Sequence, residues 1–83
     1  MVRIANIEIN NTIASCSFYP ENQEDGGKLS VDLSTGEIIK VDYPQDKCAD
    51  MYIAHARNKL IEVLSSTNEI PAEAFSIWFW EKN

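Results

Sequence analysis

Cys48, Tyr52, His55 and Lys59 stand at successive spacings of four, three and four residues. On a helix those spacings place all four on one stripe. A cysteine with a histidine is the pairing from which a thiolate nucleophile and its base are built. Here the spacing works against that chemistry. Cys48 and His55 would lie two turns apart, about 10 Å along the axis, with Tyr52 between them. A nucleophile and its base need hydrogen-bond reach. The expectation is instead a boundary stripe of amphipathic side chains, with packed stems and wet tips. No catalytic residue is assigned, and the chain is read as non-catalytic.

Other chemistry fares no better. His55 is the one histidine, and the two cysteines, Cys16 and Cys48, form no CxxC. Zinc needs three or four close ligands, and the stripe offers two. Glu21, Glu24 and Asp25 cluster in a short segment, but calcium needs six or more ordered oxygens. A solvated loop is the plainer reading. Gly26-Gly27 does not lead into a lysine-serine pair at the head of a helix, so there is no phosphate loop. Neither a metal nor a cofactor is expected.

The bulk properties narrow the partners. Asp and Glu outnumber Lys and Arg by 13 to 7, for a net charge of −6. Nucleic acids and anionic membranes both select cationic surfaces, so neither is an expected partner. The opening "MVRIANIEIN" lacks the apolar core of a signal peptide. No apolar run approaches the roughly 20 residues of a membrane span. A cytoplasmic setting with reduced thiols follows as the expectation. Residues 1–83 make one domain, of a size whose core gives thin stability and for which oligomerisation is a common remedy.

The elements that must position these residues are legible from periodicity. "RIANIEIN" and "TIASCSF" alternate as strands. Asn10-Asn11 fits a two-residue turn, because asparagine tolerates positive φ. That register sets Ile9 opposite Thr12, Ile7 opposite Ala14, Ala5 opposite Cys16 and Arg3 opposite Phe18. One face then carries Ala5, Ile7, Ile9, Ala14, Cys16 and Phe18. The other carries Val2, Ile4, Asn6, Glu8, Ile13, Ser15, Ser17 and Tyr19. Residues 20–27 form a polar loop. "KLSVDLSTGEIIKVDY" is a second hairpin closed by Ser34-Thr35-Gly36, with glycine in the left-handed position. Leu33 faces Glu37, Val31 faces Ile39 and Leu29 faces Val41. Lys28 faces Asp42 as a favourable charge pair.

From Asp46, a candidate N-cap, to about Ser65 the period becomes helical. Ala49, Ile53, Ala56, Leu60, Val63 and Leu64 share a face. Pro71 precedes a last strand, "AFSIWFW". The order β-β-β-β-α-β describes a two-layer α+β domain: a five-stranded, mostly antiparallel sheet with one helix on one face.

That last strand is richer in aromatics than a half-buried strand requires. Phe75, Ile77 and Phe79 share one parity and are expected beneath the helix. Trp78 and Trp80 share the other. Placed beside the first strand and antiparallel to it, the tryptophans would join Val2, Ile4 and Tyr19 in a patch on the uncovered face, in strand order 5-1-2-3-4. Placed beside the fourth strand, they would meet Lys40 and Asp42, a poorer match. Exposed apolar patches of a few hundred Å² mark contact surfaces, and Trp and Tyr are favoured anchors. The leading expectation is a protein-interaction module that self-associates through Val2, Ile4, Tyr19, Trp78 and Trp80, most simply as a homodimer. The alternative is an acidic inhibitor or adaptor docking its 20–27 loop on a basic partner protein.

Overall fold

The computed structural model describes residues 1–44, 50–66 and 69–77. The elements follow in the order β1 (Val2–Asn10), β2 (Ile13–Pro20), β3 (Gly27–Asp32), β4 (Ile38–Asp42), α1 (Asp50–Ser66) and β5 (Glu73–Ser76). The strands form one antiparallel sheet in the order β4-β3-β2-β1-β5. The α+β architecture and the placement of the last strand beside the first are as the sequence implies. The candidate N-cap Asp46 and the helix-face residue Ala49 lie outside the described residues.

The helix covers one face of the sheet. Ile53, Ala56 and Leu60 repeat at helical spacing and are buried against Val2, Ile4, Ala14, Phe18, Leu29 and Val31. Fully burying a side chain such as Phe18 or Leu60 contributes roughly 1.5–3 kcal/mol. Two hydrogen bonds tie the hairpin tips into the rest of the fold. The Leu33 N–H donates to the Thr12 carbonyl at 2.8 Å, and Arg57 Nη1 donates to the Gly36 carbonyl at 3.1 Å.

The first hairpin departs from the expected register. Its turn is Asn11-Thr12, with Asn11 at φ 59°, so Asn10 faces Ile13, Ile9 faces Ala14 and Glu8 faces Ser15. A bulge then falls between Ala5 and Glu8, and beyond it Ala5 faces Ser17, Ile4 faces Phe18 and Val2 faces Pro20. Asn6, at φ 53°, occupies the left-handed position that glycine commonly takes in such bulges. Its side-chain amide donates to the Ser17 hydroxyl at 3.2 Å. The extra residue reverses the alternation. Ile7, Ile4 and Val2 all reach the helix side, and Arg3 is turned away from it.

The second hairpin matches in its outer part and differs at its tip. Lys28 faces Asp42, Leu29 faces Val41 and Ser30 faces Lys40, as expected. Val31, however, faces Ile38 instead of Ile39. The loop has four residues, 33–36. The Asp32 N–H donates to the Glu37 carbonyl at 2.9 Å, and the Gly36 N–H donates to the Asp32 carbonyl at 2.7 Å. Gly36 is left-handed, at φ 77°. The physical reason for the longer loop is Asp32. Its carboxylate accepts from the Ser34 N–H at 2.9 Å and the Ser34 hydroxyl at 2.6 Å, an Asx turn that competes with strand pairing at Leu33. A bulge at Ile38-Ile39 absorbs the shift. Gly27 is required for a different reason. A Cβ there would collide with the Asp42 carbonyl oxygen and the Phe18 ring.

Two predictions follow from these turns. Asn6→Gly should leave stability nearly unchanged, whereas Asn6→Val should cost about 1–2 kcal/mol, because a branched side chain resists positive φ. Urea titration of both variants reads this directly, and equal stability would remove the bulge from its structural role. The donors around Asp32 hold its carboxyl below the ordinary 3.8, led by the Ser34 hydroxyl and then the Ser34 N–H. A depressed carboxyl stabilises the fold above its unfolded value and loses that contribution as pH falls through the folded one. The stability gap between the wild type and Asp32→Asn should therefore narrow below pH 3.8. Urea midpoints measured from neutral pH downward check the sign.

Candidate interaction surface

The bulge redistributes the residues expected to form an aromatic patch. Val2 and Ile4 are 0% exposed and sit in the core beneath the helix. Their expected place on the open face is corrected, because the parity reversal at Asn6 turns them inward. Tyr19 does lie on the open face, half-buried, with the Arg3 guanidinium 4.2 Å from its ring centroid. Trp78 and Trp80 lie outside the described residues. Phe75, expected under the helix, is exposed. Ala74 faces Ile4 and Ser76 faces Val2, so those two residues take the helix side and Phe75 takes the other. Ile77 is also exposed.

Arg3 organises this side of the sheet. Its Nε donates to Asn22 Oδ1 at 2.7 Å, and its Nη1 pairs with Glu73 Oε2 at 3.1 Å. With the Tyr19 ring, it links β1, β2, the following loop and β5. The expected register had hinted at this. It set Arg3 opposite Phe18, a charge opposite a core aromatic, which is a local conflict that a bulge resolves. The middle of the open face is mainly polar. A trough of about 560 Å³ is lined chiefly by Asn6, Ser15, Ser17, Lys28, Ser30 and Lys40.

Of the helical stripe, Tyr52, His55 and Lys59 lie on α1. The Tyr52 hydroxyl donates to Glu21 Oε2 at 2.9 Å, and Lys59 pairs with Glu62 at 3.3 Å. His55 is half-buried, and Cys48 lies outside the described residues. The Met1 ammonium and then the Tyr52 hydroxyl hold the Glu21 carboxyl below its ordinary value. Glu21 of the acidic loop is thus engaged within the chain. Among the described residues no group of three His, Cys, Asp or Glu side chains could hold a metal ion, and no helix is long and apolar enough to cross a membrane.

Among the described residues, a further group of uncovered apolar side chains lies at the opposite edge. Strand β4 has, among the described residues, a neighbour on one side only. Ile38 is 40% exposed, Ile39 53% and Tyr43, just beyond the strand, 42%. A groove of about 440 Å³ runs between this edge and α1, lined by Ile38, Val41, Tyr43, Ile53, Ala54 and Arg57, with Asp50 at its end. The Tyr43 hydroxyl donates to Asp50 Oδ1 at 3.4 Å. An edge strand presents unpaired N–H and C=O groups to any strand that approaches. Sequence reasoning found the second hairpin and the outer part of its register but did not recognise its outer strand as a surface. The signal was present in the consecutive Ile38-Ile39, since strict alternation calls for only one of them to be apolar.

Compared with known proteins, the chain matches no family model, no curated protein and no solved structure.

Cys16 belongs to the core. It is buried, and that burial pushes its thiol up to about 12. The nucleophile is the thiolate, so Cys16 should be inert in the folded protein near neutral pH. In a Cys48→Ser background, which leaves Cys16 as the sole thiol, alkylation should be slow in buffer and rapid in denaturing urea. Fast labelling of the native protein would contradict the packing described for β2.

Proposed function

We propose that this domain is a non-catalytic protein-interaction module that self-associates. One observation carries the reading: Ile38, Ile39 and Tyr43 are exposed together along and just beyond β4, the edge strand of the sheet among the described residues. Scattered exposed apolar residues need no explanation, but a cluster of them is associated with contact surfaces. An apolar sheet edge left uncovered is also a hazard that stable proteins cover or blunt. Self-association would cover it and add burial to a small core. The original patch is reduced by the burial of Val2 and Ile4, so the edge supports this reading better than the face does.

Light scattering after gel filtration tests the proposal. A dimer mass, shifting toward monomer on dilution, is the expected outcome. Ile39→Asp should weaken association at least tenfold while leaving the monomer folded, since Ile39 is largely outside the core. A strict monomer at the highest attainable concentration would remove the proposal.

A further inference from the structure

We infer that the partner of the β4 edge is a second copy of β4, paired antiparallel about a two-fold axis through Val41. This rests on the self-association proposed above and specifies its register. The stretch that would pair, residues 39–43, is bounded at both ends. The bulge at Ile38-Ile39 disturbs the ladder at one end. Pro44, which has no N–H to donate, closes it at the other. The midpoint of residues 39–43 is Val41.

The side chains favour the same centre. Val41 lines the helix-side groove, while Lys40 and Asp42 line the trough on the open face. Residues directly opposite in an antiparallel pair share a face. A two-fold centred between residues would oppose a helix-side residue to an open-side one, so the axis must pass through a residue. Centred on Lys40, it would set lysine against lysine. Centred on Asp42, it would set aspartate against aspartate. Centred on Val41, it sets each Lys40 against the other copy's Asp42, forming two opposite-charge pairs. The same register sets Ile39 against Tyr43 twice, an aromatic with a β-branched residue, which is a favourable cross-strand pair. Both ends of the contact are satisfied by one operation because a two-fold interface is self-complementary. Lys40 and Asp42 are well exposed and form a loose ion pair at 4.0 Å within one copy, so pairing would exchange that contact for the other copy's charges. The product is a continuous ten-stranded sheet with both helices on one side.

Charge exchange tests the register. Lys40→Asp alone opposes acid to acid, and Asp42→Lys alone opposes lysine to lysine. Replacing two attractive pairs by two repulsive ones should weaken each homodimer roughly ten- to thirtyfold. An equimolar mixture of the two single variants should associate again as a heterodimer. The double variant, K40D with D42K, should recover the homodimer. The recovery arms also guard against misfolding, because an unfolded variant would not pair. Recovery in the mixture and in the double variant supports the Val41 axis. A wild-type dimer whose single variants associate undiminished, or whose mixture fails to recover, overturns this register while self-association stands. A wild type that remains monomeric overturns both.

Discussion

The structure depends on one residue being left-handed in the middle of a strand. Asn6 adds a residue to β1 without adding one to β2, and the alternation of the strand reverses across it. On the turn side of the bulge, Ile7 lies under the helix. On the other side, Val2 and Ile4 do. A regular strand could not bury all three, because Ile4 and Ile7 differ in parity. The bulge lets β1 supply three branched aliphatic residues to a core that has few to spare. It also frees Arg3 to bridge β2 and β5 on the outside, where its charge can remain hydrated.

That constraint explains which parts of the fold were legible. Element types, their order and the strand order rest on long-range pattern, and an apolar helix face such as Ile53, Ala56 and Leu60 is hard to mistake. Register is more fragile, since a one-residue slip moves every side chain to the other face. In the second hairpin, Lys28, Leu29 and Ser30 found their partners because the charge pair and the apolar pairs agreed. At its tip, Asp32 competed for the Ser34 N–H and displaced Leu33. In the first hairpin, two adjacent asparagines offered two possible turns, and a third, Asn6, hid the bulge. The face assigned to Val2 and Ile4, and hence the patch built on them, inherited that error. Phe75 was placed by assuming that the aromatic row faces the core, whereas Ala74 opposite Ile4 shows the small residue there instead.

The interaction readings draw on the same economy. The sheet has two edges, and the fold treats them differently. Strand β5 is short, and Arg3 grips it through Glu73 across β1. Strand β4 carries apolar side chains and a charge of each sign. Lys40 and Asp42 resemble the charged residues that discourage indiscriminate edge pairing, yet their order lets a copy of the same strand satisfy both. An edge of this kind can reject many strands while accepting one, which is specificity by difference.

The position of β1 has a kinetic consequence. Strands β1 to β4 are joined as successive hairpins, so three of the four pairings in the sheet are between chain neighbours. The fourth is not: Val2 pairs with Ser76 and Ile4 with Ala74. This long closure must overcome more chain entropy than any hairpin turn, and contacts of high sequence separation slow folding. In a chain made from its N-terminus, the meander can form while the outer edge of β1 still awaits its partner. Until β5 arrives, that edge offers an open row of backbone donors and acceptors beside the chain's own core residues. The nascent protein would thus be most open to misassociation at a strand that becomes interior in the completed fold.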